Sequence, residues 1–399
     1  MPPIDSGPDS GPAKIGYLVP QFPGQTHIFF WREIAEIEKR GVQVRIFSTR
    51  PPPKGLIAHD WSAQAMARTR YLGAIKPLAA LTALPALPFA EGVGFAKDLL
   101  LSLSAARQLV TACRTEGIAH VHVHSCGRAA LIAALAQRLG GPRYSLTLHG
   151  PLPDYGPGQR FKWRGARFAT IITEKLLAEV RVELAGDLPE RLIIQPMGVD
   201  TDSLRRDAPY VAHLPGQPLR LFSCGRLNIV KGHQDLMAAV RLLIDQGQPV
   251  TLDIAGEDDA GGKGYRTVLE TRIAELELGD HVRLLGAIDA DAVKRHLLAA
   301  HAFVLASWHE PLGVALMEAM SCEVPTIGTA AGGVAELITD GVDGILVPPK
   351  DPALLAEAIL QLARDPARAM ALGQAGRARI VSHFHAGRGA ETLIREILG

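Results

Sequence analysis

Residues 307–347 constrain the fold of this chain more than any other stretch. They read SWHEPLGVALMEAMSCEVPTIGTAAGGVAELITDGVDGILV, which predicts a loop, a helix, a buried strand, a Gly-rich loop, a short helix, a turn and a further strand. Short strands that alternate with helices are typical of α/β proteins with a parallel sheet. Such folds bind ligands at the carboxyl ends of their strands, so we expect polar residues in these loops to be functional.

Two glutamates frame the start of the first helix in this stretch. Glu310 lies in the loop before it, Gly313 and Val314 open it, and Glu318 lies inside it. A helix start carries unpaired N–H groups and the positive end of the dipole, so it suits an anion. A carboxylate on each side suits hydroxyl groups, and together these features predict a nucleotide sugar. In the alternative interpretation, Glu310 caps the helix and Glu318 is solvated.

The run EPLGVALME at residues 310–318 resembles the E-x7-E motif of retaining glycosyltransferases of family 4. The following runs PTIGTAAGGVAELI and GVDGILVPPKD are similar to that family as well. The resemblance implies an α/β protein with the GT-B fold, in which two Rossmann-like domains face each other across a cleft. It also implies transfer of a sugar from a nucleotide-diphosphate sugar with retention of configuration. Members that build exopolysaccharides, of the colanic-acid type, are the most similar.

A chain of 399 residues suits two domains. Residues 1–13 are rich in Pro, Gly, Ser and Asp, which predicts a disordered tail rather than a signal peptide. A polar, Pro-rich linker starts at about residue 205. We therefore expect domains at residues 14–205 and 206–383, and the resemblance implies that the first is the acceptor-side domain and the second the donor-binding domain. The last segment, 384–399, is amphipathic, and the GT-B fold implies that it returns to the first domain.

Further elements are predicted along both halves of the chain. Strands are expected at residues 14–19, 42–48, 118–125, 144–149, 168–173, 191–197, 219–224, 250–255, 282–286 and 302–305. Helices are expected at 29–40, 174–184, 235–244, 352–364 and 367–384, and residues 55–115 are expected to be helical and apolar.

The two halves differ in charge. Residues 1–200 hold 23 Lys and Arg against 16 Asp and Glu, which is +7, and the rest holds −6. The basic half indicates that this part of the protein faces an anionic surface or substrate. The alternative is that the charge difference between the two domains arose by random drift. The uncharged segment 77–90 and the basic, aromatic segment 160–168 allow peripheral contact with an anionic membrane through the first domain. Internal packing and a helix with one packed face are the alternatives for these segments.

The first domain offers candidate residues at strand ends. Gly24 lies in the loop after the first strand, and the resemblance implies that it lets the backbone approach the donor phosphate. His149 ends a strand within the run TLHG, and in the family this histidine lies near the transferred sugar. His120, His122 and His124 fall on one face of a strand, but no cysteine or carboxylate is placed to complete a metal site with them.

The second domain offers a cationic pair. Arg226 and Lys231 follow the strand 219–224 and precede a helix, an arrangement that suits a diphosphate. The resemblance supports them as a diphosphate clamp. It implies a donor site that also includes Leu312, Gly313, Val314 and Glu318, and a base pocket lined by Leu285. The D-x-D run at residues 200–202 follows a turn and is rejected as a metal site.

These expectations combine into one hypothesis. His149 and Glu310 are the catalytic candidates, with no metal and no cofactor beyond the nucleotide-sugar co-substrate, UDP-linked first and GDP-linked second. The acceptor is a glycan or a polyprenyl-diphosphate-linked sugar. A net charge of +1 disfavours nucleic acid as a partner.

Two alternatives stay open, a sugar-nucleotide epimerase of the same fold and a non-catalytic binding protein for a nucleotide sugar or lipid carrier. Four cysteines without C-x-x-C spacing suit a reducing compartment. We therefore expect a cytoplasmic protein, with the inner face of the plasma membrane as the place of any peripheral contact.

Overall fold

The computed structural model of the chain describes residues 12–24, 27–52, 61–73, 76–84, 93–258 and 264–399. These residues form two compact units. The first contains the described residues up to 52, residues 61–196 and residues 387–399, and the second contains residues 197–386. The division falls a few residues before the boundary expected at 205. Most of the expected tail, residues 1–13, lies outside the described residues.

The first unit is built on one parallel sheet. Its strands are β1 (Lys14–Gln21), β2 (Gln43–Arg50), β3 (Thr69–Tyr71), β4 (His120–Val123), β5 (Arg143–Leu148), β6 (Phe168–Ile171) and β7 (Arg191–Ile194). They lie in the order β3-β2-β1-β4-β5-β6-β7. Its helices are α1 (Ile28–Lys39), α2 (Ser62–Arg68), α3 (Pro77–Leu81), α4 (Val93–Glu116), α5 (Arg128–Arg138), α6 (Gln159–Arg164) and α7 (Glu174–Glu183).

The second unit repeats this plan. Its strands are β8 (Leu219–Cys224), β9 (Val250–Ala255), β10 (Val282–Gly286), β11 (Ala302–Leu305), β12 (Thr326–Thr329) and β13 (Ile345–Val347), in the parallel order β10-β9-β8-β11-β12-β13. Its helices are α8 (His233–Asp245), α9 (Tyr265–Glu275), α10 (Ala290–Ala299), α11 (Val314–Ser321), α12 (Val334–Leu337), α13 (Pro352–Arg364) and α14 (Pro366–His383). Both units are Rossmann-like α/β domains, so the predicted fold class is confirmed.

The strand order sets where a ligand can bind in each unit. In the first sheet β1 lies between β2 and β4, and in the second β8 lies between β9 and β11. The connections on either side of β1 and β8 therefore run in opposite directions, which opens a crevice at the carboxyl ends of these strands. Apolar strands pack beneath each crevice, with Ile15 and Tyr17 of β1 in one core and Leu221 of β8 in the other, all at most 2% exposed.

The expectation that residues 55–115 are wholly helical is wrong. Thr69–Tyr71 form β3, which pairs with β2 and extends the first sheet. The run TRY is short and has a threonine and a tyrosine, which suit an edge strand better than a helix. In the described part of segment 77–90, Leu78 is 73% and Leu81 62% exposed on α3, whereas Ala83 after this helix is buried. The remaining residues of that segment, from 85 on, lie outside the described residues.

The last helix, α15 (Ala386–Leu398), packs in the first unit although the preceding helix, α14, belongs to the second. Its apolar residues Leu393, Ile394 and Ile397 join the same core cluster as β1 and α1. Glu396 pairs with Arg191 of β7 at 2.7 Å. Among the residues that the structure describes, we find no helix with the length and apolar character needed to cross a membrane.

Candidate active site

The centre of the candidate site in the second unit is an ion pair between two loops. The Lys231 ammonium lies 2.6 Å from Glu310 Oε2, and the Ser307 hydroxyl donates to the same oxygen at 3.1 Å. The side chain of Glu310 is 9% exposed and that of Lys231 is 19% exposed. The alternative in which Glu310 caps α11 is therefore wrong, because its carboxylate is directed to the loop after β8.

The Gly-rich turn after β12 holds the backbone of Glu310. Gly333 N–H donates to the carbonyl of Glu310 at 2.9 Å. Gly332 has a φ of +70°, and a Cβ on it would overlap the same carbonyl. Only glycine combines this backbone conformation with so close an approach. The turn thus fixes Glu310 from one side while Lys231 holds it from the other.

Trp308 ties the same loop to α8 and to the segment after β13. Its backbone N–H donates to the carbonyl of Val230 at 2.7 Å, and its indole N–H donates to Asp235 Oδ2. The ammonium of Lys350 lies 4.2 Å from the centre of its ring, within the range of a cation–π interaction. The indole of Trp308 thus contacts α8 and the segment after β13, and its backbone binds the loop after β8, so the loop that carries Glu310 is held in place.

Helix α11 begins beside this pair. Gly313 is its N-cap with a φ of +97°, Leu312 is buried, and Val314 is the first helical residue. Glu318 lies on the second turn, half-buried. Burial raises the pKa of the Cys224 thiol to about 12, with the nearby charge of Glu318 adding to the rise. The end of β8, the start of α11 and Glu318 therefore share one region.

The two remaining donor-site candidates of the second unit also lie at strand ends. Arg226 follows β8 and is exposed, while the aliphatic part of Lys231 lies along Gly225 next to it. Leu285 is half-buried at the end of β10, where the register with β9 shifts between Leu284 and Gly286. Such a bulge removes a residue from the regular ladder and redirects its backbone groups. The predicted residues of this unit therefore lie at the carboxyl edge of one sheet.

A second polar cluster lies at the carboxyl edge of the first unit's sheet. His149, which follows β5, places Nε2 3.2 Å from Nδ1 of His124, which follows β4. The Nε2 of His124 lies 2.9 Å from Glu33 Oε2 on α1. The Tyr17 hydroxyl donates to that same oxygen at 2.7 Å. His149 is thus the end of a chain of polar groups that reaches into the core.

The other two histidines of β4 are held by hydroxyl groups. His122 contacts Ser145 Oγ and Thr147 Oγ1 at 2.7 Å each, and His120 contacts Ser145 Oγ at 2.8 Å. Burial lowers the pKa values of His120, His124 and His149 to about 3. These imidazoles are therefore neutral at physiological pH. Within the described ranges, no group of three or more His, Cys, Asp and Glu residues is arranged to hold a metal ion.

Gly24 is buried in the loop after β1, and a Cβ on it would overlap the ring of His27. Its carbonyl accepts from His27 N–H at 3.0 Å. The structure thus gives Gly24 a local reason to be glycine, and its proposed approach to a phosphate stays a prediction.

Two other sequence features have structural roles. Arg160 and Arg164 of α6 both pair with Asp187, at 2.8 and 2.5 Å, and Lys162 is buried with its ammonium 3.0 Å from the Tyr155 carbonyl. Within the basic segment 160–168, residues 160–164 therefore belong to a helix with a packed face, and residue 168 begins β6. In the D-x-D run, Asp200 Oδ1 accepts from the N–H groups of Asp202 and Ser203 at 3.0 Å each, which closes a turn.

Sequence reasoning missed several residues of both clusters. Trp308 and Ser307 adjoin Glu310, but nothing in the sequence shows that they contact α8 and the glutamate. Glu33 sits on a helix that is otherwise amphipathic, where a carboxylate is usually solvated. Its position on α1, one residue before the buried Ile34, is the one available signal that it points inward.

Each unit matches a known family. The sequence model described as "Glycosyl transferase 4-like domain" matches residues 27–182, and the model described as "Glycosyl transferases group 1" matches residues 208–379. Together they cover more than four-fifths of the chain, one model in each unit.

Individual proteins are similar over different lengths. The amylovoran biosynthesis glycosyltransferase of Erwinia amylovora is 32% identical over 202 residues, which are 49% of this chain and 48% of that protein. The chain thus matches about half the length of that relative. A putative colanic acid biosynthesis glycosyltransferase of Salmonella typhimurium is 27% identical over 386 residues, 88% of this chain and 91% of that protein.

Among solved structures, Anabaena HepE in complex with UDP-glucose is similar with a TM-score of 0.74 at 18% identity, covering 96% of this chain and 99% of that one. At this identity the likeness shows the fold. With its two Rossmann-like units and the two family matches, the chain belongs to the group 1 glycosyltransferases with a family 4-like first domain and the GT-B fold.

Proposed function

We propose that the protein transfers a sugar from a nucleotide-diphosphate sugar to a glycan or to a polyprenyl-diphosphate-linked acceptor, with retention, in the synthesis of an exopolysaccharide. The observation that carries the proposal is the pair Lys231–Glu310 at the start of α11, at 2.6 Å. It sets a cation for phosphate next to a carboxylate for sugar hydroxyls.

In this proposal the diphosphate binds to Arg226, to Lys231 and to the first N–H groups of α11. Guanidinium and ammonium groups bind phosphate oxygens through charge-assisted hydrogen bonds. They also stabilise the negative charge that grows on the nucleotide as the sugar leaves, which is the main electrostatic contribution to such a transfer. Two cations and a helix start supply this stabilisation without a metal.

The remaining residues have roles on either side of the diphosphate. Glu310 accepts hydrogen bonds from hydroxyls of the transferred sugar, and Glu318 accepts them from the ribose. Leu285 lines the base pocket at the bulge of β10. His149 contacts the sugar on the acceptor side. We do not assign Glu310 as a nucleophile, because its carboxylate is already engaged by Lys231 and Ser307.

The relatives support the biological part of the proposal. The two curated proteins are named for the biosynthesis of amylovoran and, putatively, of colanic acid. The similar Anabaena structure contains UDP-glucose. We therefore place UDP first and GDP second as the nucleotide of the donor.

A peripheral membrane contact is proposed on narrower grounds. Leu78 and Leu81 on α3 present apolar side chains to solvent, and Lys76, which precedes the helix, is exposed too. An apolar turn next to a cation suits an anionic lipid surface. Flotation with phosphatidylglycerol vesicles checks this: the wild type should float and Leu78→Ser/Leu81→Ser should not. Equal flotation of both would remove the proposal.

The donor site is tested by the melting temperature in the presence of UDP, GDP, ADP and their glucose or mannose derivatives, each with and without a chelator. A ligand that binds the folded state alone raises the melting temperature, by an amount that grows with its concentration over Kd. We expect one diphosphate, UDP, to stabilise the wild type whether or not the chelator is present. Arg226→Ala and Glu318→Ala should lose most of the shift.

Arg272→Ala is the matched control, because Arg272 lies in the same unit and pairs with Glu275 on the surface of α9. It should keep the shift of the wild type. Stabilisation by no diphosphate would contradict the donor site and favour a binding protein of another kind. Stabilisation that disappears with the chelator would contradict its independence of metal.

A further inference from the structure

Glu33 is a buried carboxylate that the proposed function does not use. It lies on α1 with 13% of its side chain exposed. Its Oε2 receives the Tyr17 hydroxyl at 2.7 Å and lies 2.9 Å from His124 Nε2. A buried carboxylate is unfavourable unless donors surround it. Tyr17 donates to this oxygen, and a ring nitrogen of His124 lies within hydrogen-bond distance of it, so an ionised Glu33 has donors available on Oε2.

The C-terminal helix keeps this carboxylate away from water. Gly389 of α15 is buried against it, and a Cβ on Gly389 would lie 2.5 Å from Glu33 Oε1. Thus α15 closes over one oxygen of Glu33, while Tyr17 and His124 hold the other.

His124 connects Glu33 to His149. One ring nitrogen of His124 faces Glu33, and the other lies 3.2 Å from His149 Nε2, with the two rings stacked at 5.4 Å. Both imidazoles are neutral at physiological pH, so each carries one ring proton. A neutral ring can donate through one nitrogen only, and the proton position on one ring therefore determines the position on the next.

We propose that Glu33, acting through His124, is the positioning residue that fixes the tautomer and the ring orientation of His149. With Glu33 ionised, His124 carries its proton on Nε2, and its Nδ1 accepts from His149 Nε2–H. His149 Nδ1 is then left as a hydrogen-bond acceptor. This atom is buried and has no hydrogen-bond partner among the described residues. His124 Nε2 also makes no hydrogen bond there although it lies 2.9 Å from Glu33 Oε2, so its proton donation to Glu33 is part of the proposal. An acceptor suits a sugar hydroxyl, and to this extent the inference rests on the proposed function.

Other titratable groups lie around Glu33, His124 and His149. His122 of β4 adjoins His124, with ring centres 4.5 Å apart, but its two nitrogens are taken by Ser145 and Thr147. Tyr17 donates from β1, and His27 precedes α1 near the other rings. Because both nitrogens of His122 have hydroxyl partners, that residue is not part of the proposed chain.

The test is the tautomer of His149, read from ¹⁵N shifts and two-bond couplings in the full chain labelled at histidine, with His149→Asn for assignment. We expect Nε2–H in the wild type. Glu33→Met removes the acceptor and should give a mixture of tautomers or the opposite one. Glu33→Gln keeps a carbonyl oxygen and should retain Nε2–H in part. Ser145→Ala is the matched control, since it alters the neighbouring His122 contacts and should leave His149 unchanged.

A purely structural Glu33 would lower the melting temperature of its variants without moving the tautomer of His149, and that result overturns the proposal. Nδ1–H in the wild type also overturns it and needs no variant to fold. If Glu33→Met does not fold, His124→Phe can replace it, because it removes the link between Glu33 and His149 and keeps a ring stacked on His149. The readout does not depend on nucleotide binding, so failure here is separate from failure of the donor site.

Discussion

At the scale of single residues, the pair Lys231–Glu310 suits function better than stability. Two buried charges lose hydration, and their attraction rarely exceeds that loss by much. Removal of one partner, in contrast, leaves an uncompensated charge. The pair therefore makes the site sensitive to either residue, although an apolar pair of similar size would fit the same space.

This argument predicts a specific pattern of stability. Lys231→Met leaves Glu310 buried without its cation and should lower the free energy of unfolding by about 3 kcal/mol. The double variant Lys231→Met/Glu310→Met should recover most of that loss and still show no stabilisation by UDP. Melting temperatures with and without UDP measure both effects. Arg272→Met, which breaks an exposed pair, should change stability by less than about 0.5 kcal/mol.

If the double variant loses as much free energy of unfolding as the two single variants lose together, the two side chains stabilise the fold independently of their pairing. If it keeps the UDP shift, Lys231 does not bind the diphosphate. The two failures are separate, because one concerns the folded chain alone and the other concerns the ligand.

Residue-scale prediction from the sequence was uneven for a physical reason. Arg226, Lys231 and Glu310 follow β8 and β11 as the sequence predicts, since strand ends follow from local patterns, and their roles in binding stay predictions. Their partners did not follow. Nothing local to Lys231 shows that its ammonium reaches Glu310, 79 positions along the chain. Contacts between loops depend on strand order, and strand order is not a local property.

At the scale of elements, β4 and the residue after it bury three histidines, His120, His122 and His124, beside His149. The pKa values of His120, His124 and His149 are lowered to about 3 by burial, and burial lowers the pKa of His122 too. In the unfolded chain a histidine titrates near about 6.5. Below that pH the unfolded state binds protons that the folded state does not bind. The free energy of unfolding therefore falls as the pH falls towards 3.

We therefore predict steep acid destabilisation of the first unit between pH 6.5 and 4. Each histidine contributes up to about 1.4 kcal/mol per pH unit in this window. Glu33 opposes this trend, because burial raises its pKa and the folded state binds its proton more readily. Because four imidazoles outnumber one carboxyl, the free energy of unfolding should still fall as the pH falls.

The measurement is the urea midpoint against pH, followed by tryptophan fluorescence, since Trp31, Trp61 and Trp163 belong to the first unit. His120→Asn should reduce the slope by roughly a quarter, the share of one group in four. His383→Gln, at an exposed position of α14, should leave it unchanged. A flat midpoint from pH 7.5 to 5 would mean that the imidazoles of β4 do take up protons in the folded chain.

The elements themselves were largely predictable. Strands β8, β9, β10 and β11 have the predicted bounds, because short segments rich in apolar and β-branched residues between turn residues are typical of strands. Edge strand β3 was missed, since three residues with one buried side chain give no periodic signal. His120, His122 and His124 are predicted on one face of a strand, yet the hydroxyl groups that contact His120 and His122 come from β5, which the sequence does not place beside them.

At the scale of the whole molecule, the chain passes from the first unit to the second and ends in the first again. The return depends on α15, whose apolar face joins the core of β1 and α1 and whose Glu396 pairs with Arg191. Thr392 and Arg167 add bonds between α15 and the ends of β7 and β6, at 2.8 and 3.2 Å. The stability of the first unit should therefore depend on residues at the far end of the sequence.

Two neighbouring residues of α15 test this dependence. Ile397 is 7% exposed within the first unit's core, and Leu398 is 36% exposed. Ile397→Ala removes buried methyl groups and leaves a cavity, so it should lower the free energy of unfolding of the first unit by about 2–4 kcal/mol. Leu398→Ala should lower it by less than about 1 kcal/mol, because much of that side chain is already in water.

Tryptophan fluorescence during urea unfolding should show that Ile397→Ala unfolds at a lower urea concentration than the wild type. The rise in melting temperature with UDP should remain, because in our proposal it depends on the second unit. Equal effects of the two substitutions would mean that α15 is not anchored by its apolar face. Loss of the UDP shift in a still-folded Ile397→Ala would mean that the donor site needs the first unit as well. Either result would change which part of the chain we regard as sufficient to bind the donor.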